Sequence, residues 1–393
     1  MQKGEIMKKI LIWGAGEFGI KTMRNLARRH IKVSAFIDSN VRLQDKQIDG
    51  NVEVWSFEKC KEKYKDQEIC VLISAVNAKN IFEIFALLDS LSWDVGLIKP
   101  YNFIADKDID IQDISDDNEI LWKRLNGKES NVVPRIEMNI IDGCNLKCKA
   151  CTHFSSLYEE DAVCSMNEFT ESLNDLRRAG KLLRLRLLGG EPFLIDNLPD
   201  YLEQARRVFP ESDIELVTNG LLIPRMSEQW IHCFERYRVT IVISLYPPTL
   251  KIQDKIENVL SKSMIIWKYD GNEILEFGRN LTLKPAQNMF VSSQKCLAVG
   301  CTFLRNRRLY KCPFEGLISD FDEFYNLKIE ISDSGYEIDH GEDKDLYEHI
   351  KRLALEPVEM CRYCSEDLEW IPWEVCAKPE LEDWLYKEGK SDC

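Results

Sequence analysis

Asp142-Gly143-Cys144-Asn145-Leu146-Lys147-Cys148-Lys149-Ala150-Cys151 is the stretch on which the reading of this chain turns. Its three cysteines are spaced Cys-x3-Cys-x2-Cys and follow directly on an apolar run ending in Ile140-Ile141. Iron–sulfur clusters are built on cysteine thiolates. Three thiolates from one short loop can hold three irons of a four-iron cluster, which leaves the fourth iron for a small molecule. The competing ligand set is Cys144, Cys148, Cys151 and His153 around a structural zinc, although zinc knuckles usually come in pairs.

Downstream of this loop, apolar runs alternate with amphipathic stretches. The pattern predicts strands over residues 135–141, 184–188, 214–217, 239–245 and 264–267, with a weaker sixth over 281–283. Helical periodicity separates most of them, over 166–179, 198–208 and 226–237. A repeated β/α unit of this kind is compatible with a full or partial barrel whose active site lies at the C-terminal strand ends.

Two further motifs stand at those strand ends. Leu188-Gly189-Gly190-Glu191-Pro192 follows the second strand, and Val217-Thr218-Asn219-Gly220 ends the third. Together with Cys144, Cys148 and Cys151 at the end of the first, they resemble the GGEP segment, the TNG segment and the cysteine triad of the radical S-adenosylmethionine superfamily. The resemblance covers roughly residues 135–290. It implies a 4Fe-4S cluster on the three cysteines that chelates S-adenosylmethionine through its amino and carboxylate groups. Reductive cleavage would then give methionine and a 5′-deoxyadenosyl radical, which abstracts hydrogen from a substrate carbon. Gly189 and Gly190 would let backbone approach the methionine ammonium, and Glu191 would place a negative charge near it. Asn219 and Ser244 would contact ribose or carboxylate. The family often carries an aromatic residue just before the third cysteine. Here that position is Ala150, so His153 or Phe154 is expected to take its part.

A second group of cysteines, Cys296, Cys301, Cys312, Cys361, Cys364 and Cys376, occupies the C-terminal region, and Cys393 ends the sequence. Residues 301–312 read as a hairpin with a cysteine at each end, and Cys361-Arg362-Tyr363-Cys364 reads as a knuckle. This resembles the superfamily's auxiliary-cluster extension, called Twitch with one cluster and SPASM with two. Only Cys376 follows the knuckle before the terminus, so one auxiliary 4Fe-4S cluster is expected on Cys301, Cys312, Cys361 and Cys364, with Cys296 in reserve. A zinc ribbon on the same four thiols is the alternative. Cys164 and Cys376 are candidate hydrogen donors for an epimerisation. Cys60, Cys70, Cys164 and Cys233 are otherwise isolated and read as core thiols.

Near the N-terminus, Gly14-Ala15-Gly16-Glu17-Phe18-Gly19 lies between a strand over 8–13 and a helix over 17–30, with Asp38 closing the next strand, 33–37. Later strands are expected over 70–76 and 95–98, with a helix over 81–91 between them. Glycines at that spacing suit a phosphate at a helix N-terminus. The segment resembles small Rossmann-like domains attached to sugar-modifying enzymes, which implies that Gly14, Gly16, Gly19 and Asp38 bind a nucleotide or nucleotide-sugar. The alternative is a degenerate domain kept for packing or assembly. Residues 106–119 carry seven acids and read as a linker.

The expected architecture is therefore α/β. It comprises a Rossmann-like parallel sheet over 1–105, a linker over 106–133, a partial (β/α)6 TIM-type barrel over 134–290 and a small Cys-rich auxiliary-cluster domain over 291–393. The 66 acidic residues outweigh 52 basic ones for a net charge of −14, which disfavours nucleic acid as a partner. No apolar stretch approaches the roughly 18 residues needed to span a bilayer, and no secretory h-region precedes Ile10, so a cytoplasmic location is expected. Fourteen cysteines in 393 residues do not make the short, loop-rich chain of a disulfide scaffold.

The function expected is hydrogen abstraction from a small molecule, a nucleotide-activated sugar or polyol, leading to oxidation, epimerisation or rearrangement. Flavodoxin or ferredoxin would serve as reductant. A peptide-modifying maturase is the alternative. A non-catalytic iron–sulfur or zinc protein would leave the GGEP and TNG segments accidental. Trp370 and Trp373 are read mainly as core packing of the tail, and His340 as a loop residue.

Overall fold

The computed structural model describes residues 8–49, 51–99, 120–331, 335–338, 345–376 and 378–387. The chain divides into two compact units, Met1–Pro134 and Arg135–Cys393.

The first unit runs β1 (Lys9–Trp13), α1 (Glu17–Arg28), β2 (Val33–Ile37), β3 (Gln47–Ile48), β4 (Val52–Trp55), α2 (Phe57–Tyr64), β5 (Ile69–Ile73), α3 (Ala78–Leu88), β6 (Asp94–Ile98), β7 (Ile120–Leu125) and β8 (Lys128–Glu129). These strands form one sheet in the order β3-β4-β2-β1-β5-β6-β7-β8. Its middle, β4-β2-β1-β5-β6, is parallel. Every residue of β5 and β6 is buried, as expected of parallel strands covered on both faces.

β7 and β8 fall inside the stretch 106–133 that the sequence suggested as a linker, and they pair antiparallel at the sheet edge. Their charges hid them. Lys123 and Arg124 are buried on β7, and Arg124 donates to the carbonyls of Leu88, Leu91 and Trp93. The acidic part of that stretch, 106–119, lies outside the described residues, as do Gly50, His340 and Cys393.

In the glycine loop, Gly14 N–H donates to the Ile37 carbonyl at 2.8 Å. The Asp38 carboxylate accepts from Ala15 N–H at 2.7 Å and from Asn40 N–H at 2.8 Å, so Asp38 braces the loop. A Cβ on Gly19 would lie 1.9 Å from the Gly14 carbonyl oxygen, so α1 packs on the loop only with glycine there, whereas nothing stands within 4 Å of a Cβ on Gly16.

The second unit runs β9 (Val132–Ile141), α4 (Met166–Arg177), β10 (Lys181–Gly189), α5 (Leu198–Val208), β11 (Asp213–Thr218), α6 (Glu228–Arg236), β12 (Val239–Ile243), α7 (Pro247–Leu250), α8 (Gln253–Leu260), β13 (Trp267–Tyr269), β14 (Glu276–Leu281), α9 (Met289–Lys295), β15 (Phe303–Arg305), β16 (Arg308–Tyr310), α10 (Pro313–Tyr325), β17 (Tyr336–Glu337), α11 (Leu346–Leu355) and β18 (Cys364–Pro372). The main sheet has the order β13-β12-β11-β10-β9-β15-β16-β17. Strands β10 to β13 pair in parallel, which gathers their C-terminal ends along one edge. Serine caps start the connecting helices: Ser165 accepts from Glu168 N–H before α4, and Ser227 from Trp230 N–H before α6.

Two expectations need correction here. The sixth barrel strand, expected over 281–283, is not in the parallel sheet. Its first residue ends β14, which pairs antiparallel with β18 in a separate two-stranded sheet. The sequence Glu276-Phe277-Gly278-Arg279-Asn280-Leu281 is too polar for a strand buried on both faces, and only Arg279 and Leu281 of it are buried. Nor is the cysteine-rich region a separate compact body. Strand β15 adds in parallel to the free side of β9, and the β15–β16 hairpin turns at Asn306 and Arg307, whose φ values are 51° and 58°. Among the described residues no helix is long and apolar enough to cross a membrane.

The glycine contacts give a paired expectation for stability. Gly19→Ala forces α1 off the loop and costs about 1–3 kcal/mol or more, whereas Gly16→Ala changes stability by less than about 0.5 kcal/mol. Urea denaturation of the two variants checks this.

Candidate functional site: two cysteine-lined cavities

The loop after β9 folds through left-handed residues immediately before its second and third cysteines, Lys147 at φ 48° and Ala150 at φ 56°. Cys144, Cys148 and Cys151 thereby border one cavity of about 270 Å³, which Gly189, Gly190, Asn219 and Ser244 also line. The sulfurs meet N–H donors. Leu146 N–H reaches Cys144 Sγ at 3.4 Å, Asn219 Nδ2 stands 3.9 Å from the same sulfur, and Trp373 Nε1 donates to Cys148 Sγ at 3.2 Å.

Burial pushes the Cys144 thiol up to about 12 and raises Cys148 further. Burial acts on Cys151 too, but the hydrogen bond and charge of His153 outweigh it and bring that thiol below its ordinary value. Ligation would therefore have to release protons from Cys144 and Cys148. Among the described residues no three His, Cys, Asp or Glu side chains are gathered around a single metal ion. The three thiols border one cavity and meet N–H donors at Cys144 and Cys148, and three thiolates of this kind can hold iron.

Gly189 and Gly190 do border the cavity, but their lack of side chains serves backbone contact first. A Cβ on Gly190 would lie 1.8 Å from the Gly143 carbonyl oxygen, and one on Gly189 would lie 2.0 Å from that of Ile141. Hydrogen bonds from Gly190 N–H to Ile141 and from Glu191 N–H to Gly143, at 2.7 and 2.9 Å, join the ends of β9 and β10.

Glu191 does not border the cavity. It is fully buried, and it accepts from Phe193 N–H at 3.0 Å, Thr218 Oγ1 at 2.7 Å and Asn219 N–H at 2.8 Å. Its carboxylate ties the end of β11 to the end of β10 through these three hydrogen bonds. Asn219 also donates to Asn145 Oδ1 at 2.8 Å, fastening the same end to the cysteine loop.

Of the two residues expected to replace the aromatic at Ala150, only His153 lines the cavity. Phe154 is fully buried and stacks on Phe321 with ring centroids 4.4 Å apart. Tyr246, which sequence reasoning missed, lines the cavity as well.

Also missed were Glu137, Arg186 and Asp270, which line the same cavity. Arg186 reaches Glu137 at 3.2 Å, Glu215 at 2.9 Å and Asp270 at 3.0 Å. Burial works against the charge on Glu137, but Arg135 and Arg186 prevail and hold it at about 2. The signal was in the sequence. Arg135-Ile136-Glu137 and Arg184-Leu185-Arg186 place charges at every second position of otherwise apolar strands, so they share one face.

A second cavity, of about 300 Å³, is bordered by Cys296, Cys301, Cys312, Cys361 and Cys364, and it shares Glu137, Thr152 and His153 with the first. Burial raises the thiols of Cys312, Cys361 and Cys364, and each also feels Cys296. Cys301 is pushed to about 12 by burial and by the charge of Glu137, its hydrogen-bond partner.

The two candidate hydrogen donors border neither cavity. Cys376 Sγ lies against Asp383 at 3.3 Å and its N–H donates to the Lys147 carbonyl, while Cys164 Sγ lies near the Ser165 carbonyl at 3.7 Å. Cys60, Cys70 and Cys233 are buried.

Glu191 supplies a pH signature. Burial among neutral partners pushes its carboxyl from 4.5 up to about 7. A folded value above the unfolded one gives stability that is fully present below about pH 4.5 and is lost as pH rises towards 7. Glu191→Gln should flatten that stretch of the stability–pH curve, as measured by denaturant midpoints at a series of pH values.

Comparison with known proteins gives partial matches. Residues 135–278 match the family described as a 4Fe-4S single cluster domain. The GTP 3',8-cyclase of Alkaliphilus oremlandii is 30% identical over 98 residues, covering 24% of this chain and 29% of that protein. The GTP 3',8-cyclase of Paenarthrobacter nicotinovorans is 34% identical over 89 residues, 22% of this chain and 25% of that protein. The match thus spans less than a third of the length of these curated relatives. Among solved structures, BtrN in complex with AdoMet and 2-DOIA aligns at 14% identity over 58% of this chain and 92% of that one, with a TM-score of 0.35. UDP-D-quinovosamine 4-dehydrogenase from Vibrio fischeri aligns at 21% identity over 30% of this chain and 96% of that one, with a TM-score of 0.24. The family match covers the cysteine triad and the GGEP and TNG segments, so residues 135–278 are similar to a 4Fe-4S single cluster domain, and a cysteine-rich extension lies C-terminal to them.

Proposed function

We propose that this chain is an enzyme that cleaves S-adenosylmethionine reductively and uses the radical to take hydrogen from a small molecule. The observation that carries this reading is one cavity bordered by Cys144, Cys148, Cys151, Gly189, Gly190, Asn219 and Ser244, adjoining a second that five cysteines border. Cys144, Cys148 and Cys151 would hold a 4Fe-4S cluster, which with bound S-adenosylmethionine supplies the radical chemistry. Gly189 and Gly190 would offer backbone to the methionine end. Asn219 and Ser244 would meet ribose or carboxylate, and His153 or Tyr246 would flank the adenine. A flavodoxin- or ferredoxin-type reductant would deliver the electron.

The second cavity suits an auxiliary 4Fe-4S cluster, with Cys312, Cys361 and Cys364 as three ligands. We take Cys296 as the fourth, because it is electrostatically close to all three while Cys301 is engaged with Glu137. Two neighbouring clusters favour oxidation, since a second cluster can accept the electron left on the substrate. Nothing brings Cys164 or Cys376 to either cavity for an epimerisation. The substrate class proposed is a nucleotide-activated sugar or polyol. It is supported by the glycine loop of the first unit, where the space beside Gly16 is open, and by relatives whose name specifies a nucleotide.

Anaerobic reconstitution should give about eight irons per chain. Reduction in the presence of S-adenosylmethionine should release 5′-deoxyadenosine, read by chromatography. Alanine at Cys144, Cys148 or Cys151 should lower that yield at least about 100-fold; an undiminished yield overturns the reading. Cys296→Ala should fall to about four irons while Cys301→Ala keeps about eight; the reverse assigns the fourth ligand to Cys301. Deuterium moving into 5′-deoxyadenosine from a labelled nucleotide-sugar supports the substrate class, and transfer from a peptide alone points to a maturase.

A further inference from the structure

A segment 225 residues downstream reaches back to the cysteine loop. Residues 373–376 lie beside it as an irregular strand. Lys149 N–H donates to the Glu374 carbonyl at 2.9 Å, Cys376 N–H donates to that of Lys147 at 2.7 Å, and Cys148 faces Val375 in an antiparallel bridge. The Lys149 ammonium pairs with Glu374 at 3.1 Å. Further along, Trp384 is buried against Phe154 and donates its indole N–H to the Cys151 carbonyl at 2.9 Å.

Within that arrangement Trp373 has a specific place. Its indole N–H points at Cys148 Sγ at 3.2 Å, and its ring stacks on Tyr246 with centroids 6.2 Å apart and an interplanar angle of 28°. If the ring merely covered the loop, the N–H would have no need to face sulfur. We propose that residues 373–376, together with the Trp384 anchor, form a strap that tunes the redox potential of the cluster held by the cysteine loop, with Trp373 as the donor to the Cys148 thiolate. The inference rests on the reading of the loop as a cluster site. The reduced cluster carries one more negative charge than the oxidised one, and that charge is shared by the ligating sulfurs. An N–H directed at a ligand sulfur therefore stabilises the reduced form more and raises the potential. Trp373 is a positioning residue: it touches the ligand, and acts on the chemistry through it.

The test is a potentiometric titration followed by electron paramagnetic resonance. It uses the signal that changes when S-adenosylmethionine is added, so that the auxiliary cluster is not what is measured. Trp373→Phe keeps a ring beside Tyr246 and removes the donor. It should hold the wild-type iron content and show a more negative midpoint, the reduced-to-oxidised ratio at the wild-type midpoint falling about fivefold, or about 41 mV at 59 mV per decade. Trp373→His, which keeps a ring N–H, should move the midpoint back towards wild type. Trp370→Phe, on the exposed part of β18, should leave it unchanged. An unshifted midpoint in a fully loaded Trp373→Phe variant overturns the proposal. So does loss of iron with a normal midpoint in what remains, which is the mark of a purely structural strap. A wild-type chain whose signal ignores S-adenosylmethionine fails at the earlier step and overturns the cluster reading itself.

Discussion

The contact between Gly190 and the Gly143 carbonyl is the constraint from which the site is built. It brings the loop after β9 against the loop after β10 at a separation that no side chain at Gly190 would permit, since a Cβ would sit 1.8 Å from that oxygen. Two backbone hydrogen bonds then lock the loops together. The fully buried Glu191 carries the connection one strand further, accepting from Thr218 and Asn219 at the end of β11. Asn219 returns it to Asn145 beside the first cysteine. Three segments separate in sequence thus become one frame around the thiols. A cluster site needs such a frame, because ligands held by rigid neighbours lose little entropy when they close on metal.

Beneath the frame the strands carry charge where apolar residues would pack more cheaply. Arg186 is surrounded by Glu137, Glu215 and Asp270, and Arg184 pairs with Glu215 at 3.0 Å. Buried ion pairs contribute little net stability over well-packed apolar residues, and removing one partner is costly. A fold does not need this arrangement to hold together, so its position as the lining shared by both cavities, through Glu137, is better explained by what enters them. Whatever enters the two cavities meets Glu137 held in place by Arg135 and Arg186.

Much of the frame was legible in the sequence because it is local. The cysteine spacing, the GGEP and TNG segments and the β/α alternation that sets them at successive strand ends are patterns of neighbouring residues. The cavity duly collects Gly189, Asn219 and Ser244 with the triad. What the sequence hid is what depends on pairing at long range. The part Glu191 plays in joining strand ends was hidden because its partners lie at Phe193, Thr218 and Asn219, and only folding brings those three donors to one carboxylate. The residues of β7 read as linker because Lys123 and Arg124 look exposed until the strand is seen against β6. Residues 281–283 read as a sixth barrel strand because a short apolar run resembles a core strand, whereas Leu281 ends β14, whose partner β18 lies some 90 residues away. Asp38 stands just past β2, where the sequence put it, and its carboxylate braces the glycine loop.

The C-terminal region shows why the sequence boundary between barrel and extension has no counterpart in the packing. β15 extends the main sheet from β9, the strand that leads into the cysteine loop, and Phe303 pairs with Glu137 in that register. Phe154, just past the third cysteine, sits in an apolar cluster with Phe321, Met360, Tyr363 and Trp384, all from the extension. The loop is therefore clamped from both sides by residues translated long after it. Contacts of such sequence separation carry a loop-closure cost that local contacts do not. Until they form, the triad has its cysteines but lacks Trp373, the Trp384 anchor and the second cavity. The cysteine loop therefore reaches its final surroundings only when the whole second unit is folded, because Trp373 and Trp384 reach it from the far end of the described residues.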